Sequence, residues 1–257
     1  MLSAPTKCAV AAGFAACVFL LVGSPATAAE IKLLGPVSFR DVLPSLLPQF
    51  EKSSGHQVTA GYATLGAITE RLLKGESADV ALVSPAQNED LQKQGKLLAG
   101  SQTQIARVGY TAFVKTGSPK PHLGSLDTLK NTLLAAKSIA LGDPAAGGAS
   151  GVYLAGIMQK LGLAEQIKAK TKLYRSGTDV AEAVAKGEAE IGMGIASDAK
   201  TIPGLDPVAL PSEVQSYSVY VAGVGSDSKE ADAAKALIAF LTSPAVKQAL
   251  SEKGFEP

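Results

Sequence analysis

Gln57 to Ser84, QVTAGYATLGAITERLLKGESADVALVS, reads as a strand, a helix and a second strand in that order. Gln57 to Tyr62 carries β-type residues, Ala67 to Lys74 is an amphipathic helical segment, and Asp79 to Val83 is a short run of the buried-strand kind. Outward from this unit the same alternation continues in both directions. Further strands are expected at Ile31 to Leu34, Val108 to Val114, Ser138 to Leu141, Thr171 to Tyr174, Ala189 to Met193 and Tyr217 to Val224. Further helices are expected at Ser38 to Lys52, Ala86 to Gln94, Ser125 to Ala135, Gly151 to Leu161, Thr178 to Lys186, Lys229 to Leu241 and Pro244 to Lys253. Short strands interleaved with helices predict an α/β protein with largely parallel sheets.

Ser38 reads as a helix N-cap with Asp41 three residues on, a capping box. Pro44 and Pro48 each withhold a backbone donor from that helix and predict a kink or break. Near the C-terminus, Ala236, Leu237, Phe240 and Leu241 fall at helical spacing, so the last two helices are expected to close a core. No Pro/Gly/Ser-rich linker divides the chain. Two lobes, if present, must be joined by ordered crossings, for which Val108 to Val114 and Tyr217 to Val224 are the candidates.

The first residues have the order of a secretory leader: Lys7, an apolar run from Ala9 to Val22, then Gly23-Ser24-Pro25 and Ala26-Thr27-Ala28. That run is short for a membrane span, which needs roughly 20 apolar residues, and cleavage is expected after Ala28. Cys8 and Cys17 lie inside the leader, so the exported chain has no thiol for a disulfide, a metal site or a nucleophile. Losing Lys7 leaves basic and acidic residues equal in number. A neutral balance gives no support to nucleic-acid binding.

Four blocks, IKLLGPVSFRDVLPSLLPQF (31–50), YATLGAITERLLKGESADVALVS (62–84), LGDPAAGGASGV (141–152) and GEAEIGMGIASD (187–198), resemble the molybdate-binding receptors of periplasmic ABC transporters, as does the ending FLTSPAVKQALSEKGFEP (240–257). The resemblance spans essentially the whole exported chain. It implies an α/β, two-lobed type II periplasmic-binding-protein fold, each lobe a mixed β-sheet flanked by helices. Residues 29–108 and 217–257 would form the first lobe and 109–216 the second. The hinge would lie near Val108-Gly109-Tyr110 and Ser216-Tyr217-Ser218, with a small anion held between the lobes and delivered to a membrane permease. The protein is expected to act as a periplasmic monomer without cofactor or metal.

A neutral protein can hold an anion if hydroxyls and helix N-termini converge on it, because each helix start offers unpaired N–H donors and a partial positive charge. The resemblance implies such contacts at Ser38, at the Thr64-Leu65-Gly66 turn, at Ser150 after the Gly-rich loop Asp143 to Gly148, at the backbone of Val180, and at Ile195. Each has a plain structural alternative: Ser38 as an N-cap alone, the Thr64 turn as an ordinary strand-to-helix connection. Arg175 is a candidate carboxylate clamp or a solvated surface arginine. Two positions depart from the family. Leu65 stands where a serine hydroxyl is usual, with Thr64 beside it as a substitute, and Ile195 stands where a tyrosine is usual. The ligand classes left open are molybdate or tungstate, another oxyanion, or a small organic acid.

His56 and His122 are far apart, both in loops, and neither sits near a G-x-S-x-G elbow or a metal-ligand spacing. The Gly142 to Gly151 loop lacks the Lys-Ser/Thr ending of a P-loop. Glu182, Glu188 and Glu190 read as a solvated face. A transport receptor is therefore expected and an enzyme is not. A sensory binding protein, or an exported enzyme on the same fold, are the alternatives.

Overall fold

The computed structural model describes residue 1 and residues 28–256. The expected leader, with Lys7, Cys8 and Cys17, lies outside the described residues up to Thr27. The described chain begins with β1 (Glu30–Pro36), a 3-10 turn at Val37–Phe39, α1 (Leu43–Ser54), β2 (Gln57–Ala63), α2 (Leu65–Leu73), β3 (Val80–Val83), α3 (Pro85–Lys93) and the long β4 (Thr103–Lys115). Next come α4 (Leu126–Ala135), β5 (Ile139–Gly142), α5 (Ala149–Lys160), α6 (Ala164–Ile167), β6 (Thr171–Tyr174), α7 (Gly177–Lys186), β7 (Ile191–Ile195), α8 (Ala196–Thr201) and β8 (Leu205–Ala209). β9 (Tyr217–Val224), α9 (Ala231–Leu241) and α10 (Pro244–Glu252) end it.

The strands run in the order β2-β1-β3-β9-β4-β7-β5-β6, with β8 beside β4. The expected largely parallel sheet is corrected here. β1 pairs in parallel with β2 and β3, as does β5 with β6 and β7, but β9 and β4 run antiparallel to every partner. The reason lies in β4. From Thr103 to Gly109 it pairs with β9, and from Tyr110 to Phe113 with β7, so one strand serves both halves and changes partner at a single peptide. The architecture is the mixed, two-lobed type II binding-protein fold.

The expected capping box at Ser38 does not form. Ser38 sits in the 3-10 turn, and α1 starts only at Leu43, with Val42 as a cap that makes no side-chain hydrogen bond. Pro44 falls in the first turn of α1, where its missing N–H is one of the unpaired donors anyway, while Pro48 lies inside the helix. β8 was not expected. Pro207 interrupts its pattern, and the strand is tolerated because it flanks only β4.

Packing explains why the ends meet the middle. Phe255 lies 4.7 Å from Phe39 between ring centroids, and Tyr220 meets Phe39 edge-on at 5.1 Å. Burying each such aromatic is worth about 1.5–3 kcal/mol. Beyond them Glu256 pairs with Arg107 through two backbone hydrogen bonds of 2.7 Å and a 2.8 Å ion pair, tying the C-terminus to β4. The last two helices thus close a core, as their pattern predicts.

Candidate functional site

A small cavity of about 50 Å³ lies where several loops and helix starts converge. Pro36, Val37 and Ser38 reach it from the end of β1. Thr64 and Leu65 come from the start of α2, Gly148 to Ser150 from the start of α5, and Ser176 and Gly177 from the start of α7. Ile195, Asp198 and Tyr220 complete the wall from β7, α8 and β9. The starts of three helices therefore converge on one space, and among the described residues no lysine, arginine or histidine lines it.

Five of the expected positions line the cavity: Ser38, Thr64, Leu65, Ser150 and Ile195. Ser38 Oγ donates to the Tyr220 hydroxyl at 3.3 Å, which leaves the tyrosine proton free to donate elsewhere. Thr64 does not replace the missing serine as a donor. Its Oγ1 donates to the Ala146 carbonyl at 2.6 Å and accepts from the Ala67 N–H at 3.3 Å, so its proton is taken. Gly66 is likewise engaged, its N–H donating to the Gly147 carbonyl at 3.1 Å.

Gly66 is not part of the cavity wall, and two further expected positions fall elsewhere. Val180 is buried in an apolar cluster with Phe113 and Val184, and its N–H closes the first turn of α7 on the Ser176 carbonyl at 3.2 Å. It offers the cavity no donor, because it already lies in the hydrogen-bonded first turn of α7, which starts at Gly177 with Ser176 as its cap, one residue before the expected Thr178. Arg175 is exposed and outside the cavity wall, consistent with a solvated arginine.

Two lining residues were not anticipated. Tyr220 is 2 % exposed, held by Phe39 and Phe255, and burial pushes its phenol well above the ordinary range, so it stays protonated. Asp198 is 3 % exposed, and its Oδ2 has no hydrogen-bond partner. Burial raises its carboxyl to about 7, opposed by a hydrogen bond from the Ile195 backbone N–H and reinforced by Asp41 and Asp179. The one available signal was spacing: Asp198 stands three residues after the cap of a short helix, where an acidic residue is ordinary.

His56 accepts from the Ala29 backbone N–H at 3.1 Å, and His122 is exposed; neither approaches the cavity. Among the described residues no group of three or more His, Cys, Asp or Glu is placed to hold a metal ion.

A mixed two-lobed α/β fold with helix N-termini converging on a central cleft defines an extracytoplasmic binding protein of the molybdate-receptor type. Residues 31–256 match the model of the bacterial extracellular solute-binding protein family, and the chain belongs to that family. It is 31 % identical to an aconitate isomerase of a Pseudomonas species, the match covering 93 % of each chain. It is 29 % identical to the molybdate-binding protein ModA of Azotobacter vinelandii, over 96 % of this chain and 95 % of that one. Among solved structures, the periplasmic molybdate-binding protein of Azotobacter vinelandii superposes with a TM-score of 0.72 at 21 % identity, covering 89 % of this chain and 99 % of its own. The sulfate-binding protein SubI of Mycobacterium tuberculosis gives 0.73 at 18 % identity, over 89 % and 87 %. At these identities the superpositions establish the fold.

Proposed function

We propose that the protein is a periplasmic receptor that captures a small organic acid, such as a di- or tricarboxylate, and presents it to an ABC-type permease. The observation that carries this reading is the cavity wall: helix N-termini and hydroxyls without a cation suit an anion, while Leu65 and Ile195 withhold the two hydroxyls expected for molybdate. Closure would swing 29–108 with 217–257 against 109–216 about the Gly109-Tyr110 peptide of β4 and the Ser216 to Ser218 crossing. Support for that hinge comes from the partner change at Gly109/Tyr110 and from the Tyr110 N–H bonding the Ser216 carbonyl at 3.1 Å. A ligand touching both lobes favours the closed form because only there are all its donors engaged. The test is a thermal-shift panel of molybdate, tungstate, sulfate, phosphate and small polycarboxylates in excess. Saturation at about 1,000 times Kd adds roughly 4 kcal/mol, a rise of order 10 °C for a chain of this size. A rise with carboxylates alone supports the reading, and a rise with molybdate alone refutes it.

A second reading has its own observations: the isomerase relative matches at 31 % identity over nearly the whole chain, and Asp198 lines the cleft with its Oδ2 unpartnered. On this reading the chain interconverts cis and trans forms of a small unsaturated tricarboxylate such as aconitate. Conversion of either isomer, followed by proton NMR, tests it directly.

A further inference from the structure

One polar atom in the cleft is accounted for neither by capping nor by packing. Asp198 lines the cavity from the start of α8, and its buried Oδ2 has no hydrogen-bond partner. It lies against Gly177, where any Cβ would collide with it, and a Cβ on Gly194 would stand 3.3 Å away. Glycine at both places lets a carboxyl sit beside the first turn of α7. A buried carboxylate in an anion cavity without a cation works against binding, so its presence calls for another role. The other polar side chains of the wall are hydroxyls. Thr64 and Ser176 are engaged in caps, and Tyr220 keeps its proton. Asp198 is the lining side chain whose proton affinity, about 7, suits a group that both takes and returns a proton near neutrality.

We propose that Asp198 is the catalytic base of the cleft, taking a proton from the carbon next to one carboxylate of an unsaturated tricarboxylate and returning it two carbons away. This rests on the isomerase reading. In aconitate the C–H bond of the CH2 group breaks, the proton passes to Oδ2, and the electron pair spreads over the three-carbon allyl unit and its carboxylates. The protonated Asp198 then forms a C–H bond at the former vinyl carbon, and the double bond is left at the former CH2 carbon. Protons balance and no oxidant or reductant enters. The torsion held about the CH2–C bond of the bound substrate becomes the configuration of the new double bond, so cis and trans interconvert without a double bond being twisted. Helix N-termini of α5 and α7 face the charge that develops on the carboxylates.

The experiment incubates wild type and Asp198→Asn with cis- and with trans-aconitate in D2O, following isomer signals and deuterium incorporation by NMR, with thermal shift as an independent readout of binding. Wild type should convert the isomers and incorporate deuterium. Asp198→Asn should still bind but turn over about 10²–10⁴-fold more slowly, the usual contribution of a general base. Asp198→Glu, which keeps a displaced carboxyl, should recover part of the rate, and Asp198→Ser serves in place of the Asn variant should that one fail to melt cooperatively. Undiminished turnover by folded Asp198→Asn, or by Asp198→Ser in its place, overturns the assignment while the isomerase reading stands. Binding by wild type with neither conversion nor exchange overturns both and leaves the receptor.

Discussion

Asp198→Asn makes a prediction about stability that is independent of any ligand. The substitution keeps the shape of the side chain and an oxygen for the Ile195 N–H, but removes the ionisable proton. In the folded protein the Asp198 carboxyl lies near 7 against an ordinary 3.8. Below about pH 4 it is neutral in both folded and unfolded chains, so its contribution is fully present. As pH rises through about 4 to 7 the unfolded chain ionises while the folded one resists, and stability is lost; above about 7 the loss is constant. A gap of about three pKa units is worth about 4 kcal/mol at 1.36 kcal/mol each. The buried amide of Asn costs about 1–3 kcal/mol for unpaired donors, but equally at every pH. Stability of the variant relative to wild type should therefore swing by about 4 kcal/mol in its favour between pH 4 and pH 8. Urea unfolding at several pH values measures this, and in melting temperature it is a swing of roughly 8–16 °C. Asp41 and Asp179 both raise the Asp198 carboxyl, so Asp179→Asn should shrink the swing in part. Stability curves of wild type and Asp198→Asn that run parallel from pH 4 to pH 8 would refute a carboxyl held neutral by burial.

Gly66→Ala places a Cβ about 3.1 Å from Gly147 Cα, so it should loosen the closed approach of the two loops; ligand dissociation should speed up in stopped flow while the melting temperature without ligand changes little. Ser38→Ala removes a hydroxyl at the cleft, and titration calorimetry should show binding weaker by about 1–3 kcal/mol, the range for a hydrogen bond to a charged group. Tyr220→Phe keeps the ring in its Phe39 and Phe255 packing and loses only the hydroxyl; affinity should fall by a similar amount, and unchanged affinity would remove Tyr220 from the site.

Local patterns carried most of the fold. Tyr217 to Val224 and Thr171 to Tyr174 begin and end where their apolar runs do. Ser84, Ser125 and Ser176 cap their helices with the reciprocal bonds that their spacing allows. What local patterns could not carry was direction and partner. Whether β4 runs parallel or antiparallel depends on where a strand some 100 residues later returns, and nothing in Thr103 to Lys115 encodes that. α8 escaped notice because β7 runs straight into it at Ile195 with no intervening loop, its glycines, Gly192 and Gly194, lying inside the strand.

The site divides along the same line. Ser38, Leu65 and Ser150 were legible because each lies where a strand gives way to a helical turn, and such places present donors whatever the rest of the fold does. The Val180 N–H is spent in the helix ladder, because α7 starts at Gly177 and its fourth residue already bonds the carbonyl of the cap. Tyr220 was hidden because within YSVYVAGV it reads as one more β-type residue of a buried strand. Yet it brings a phenol to the very cavity in which Ile195 lacks one. A binding cleft fixes where donors must converge and leaves open which strand delivers them. Substitutions at family positions are therefore read safely only against the side chains that arrive at the same space from elsewhere. Here those are a protonated tyrosine from β9 and, from α8, a carboxyl with one oxygen unpartnered.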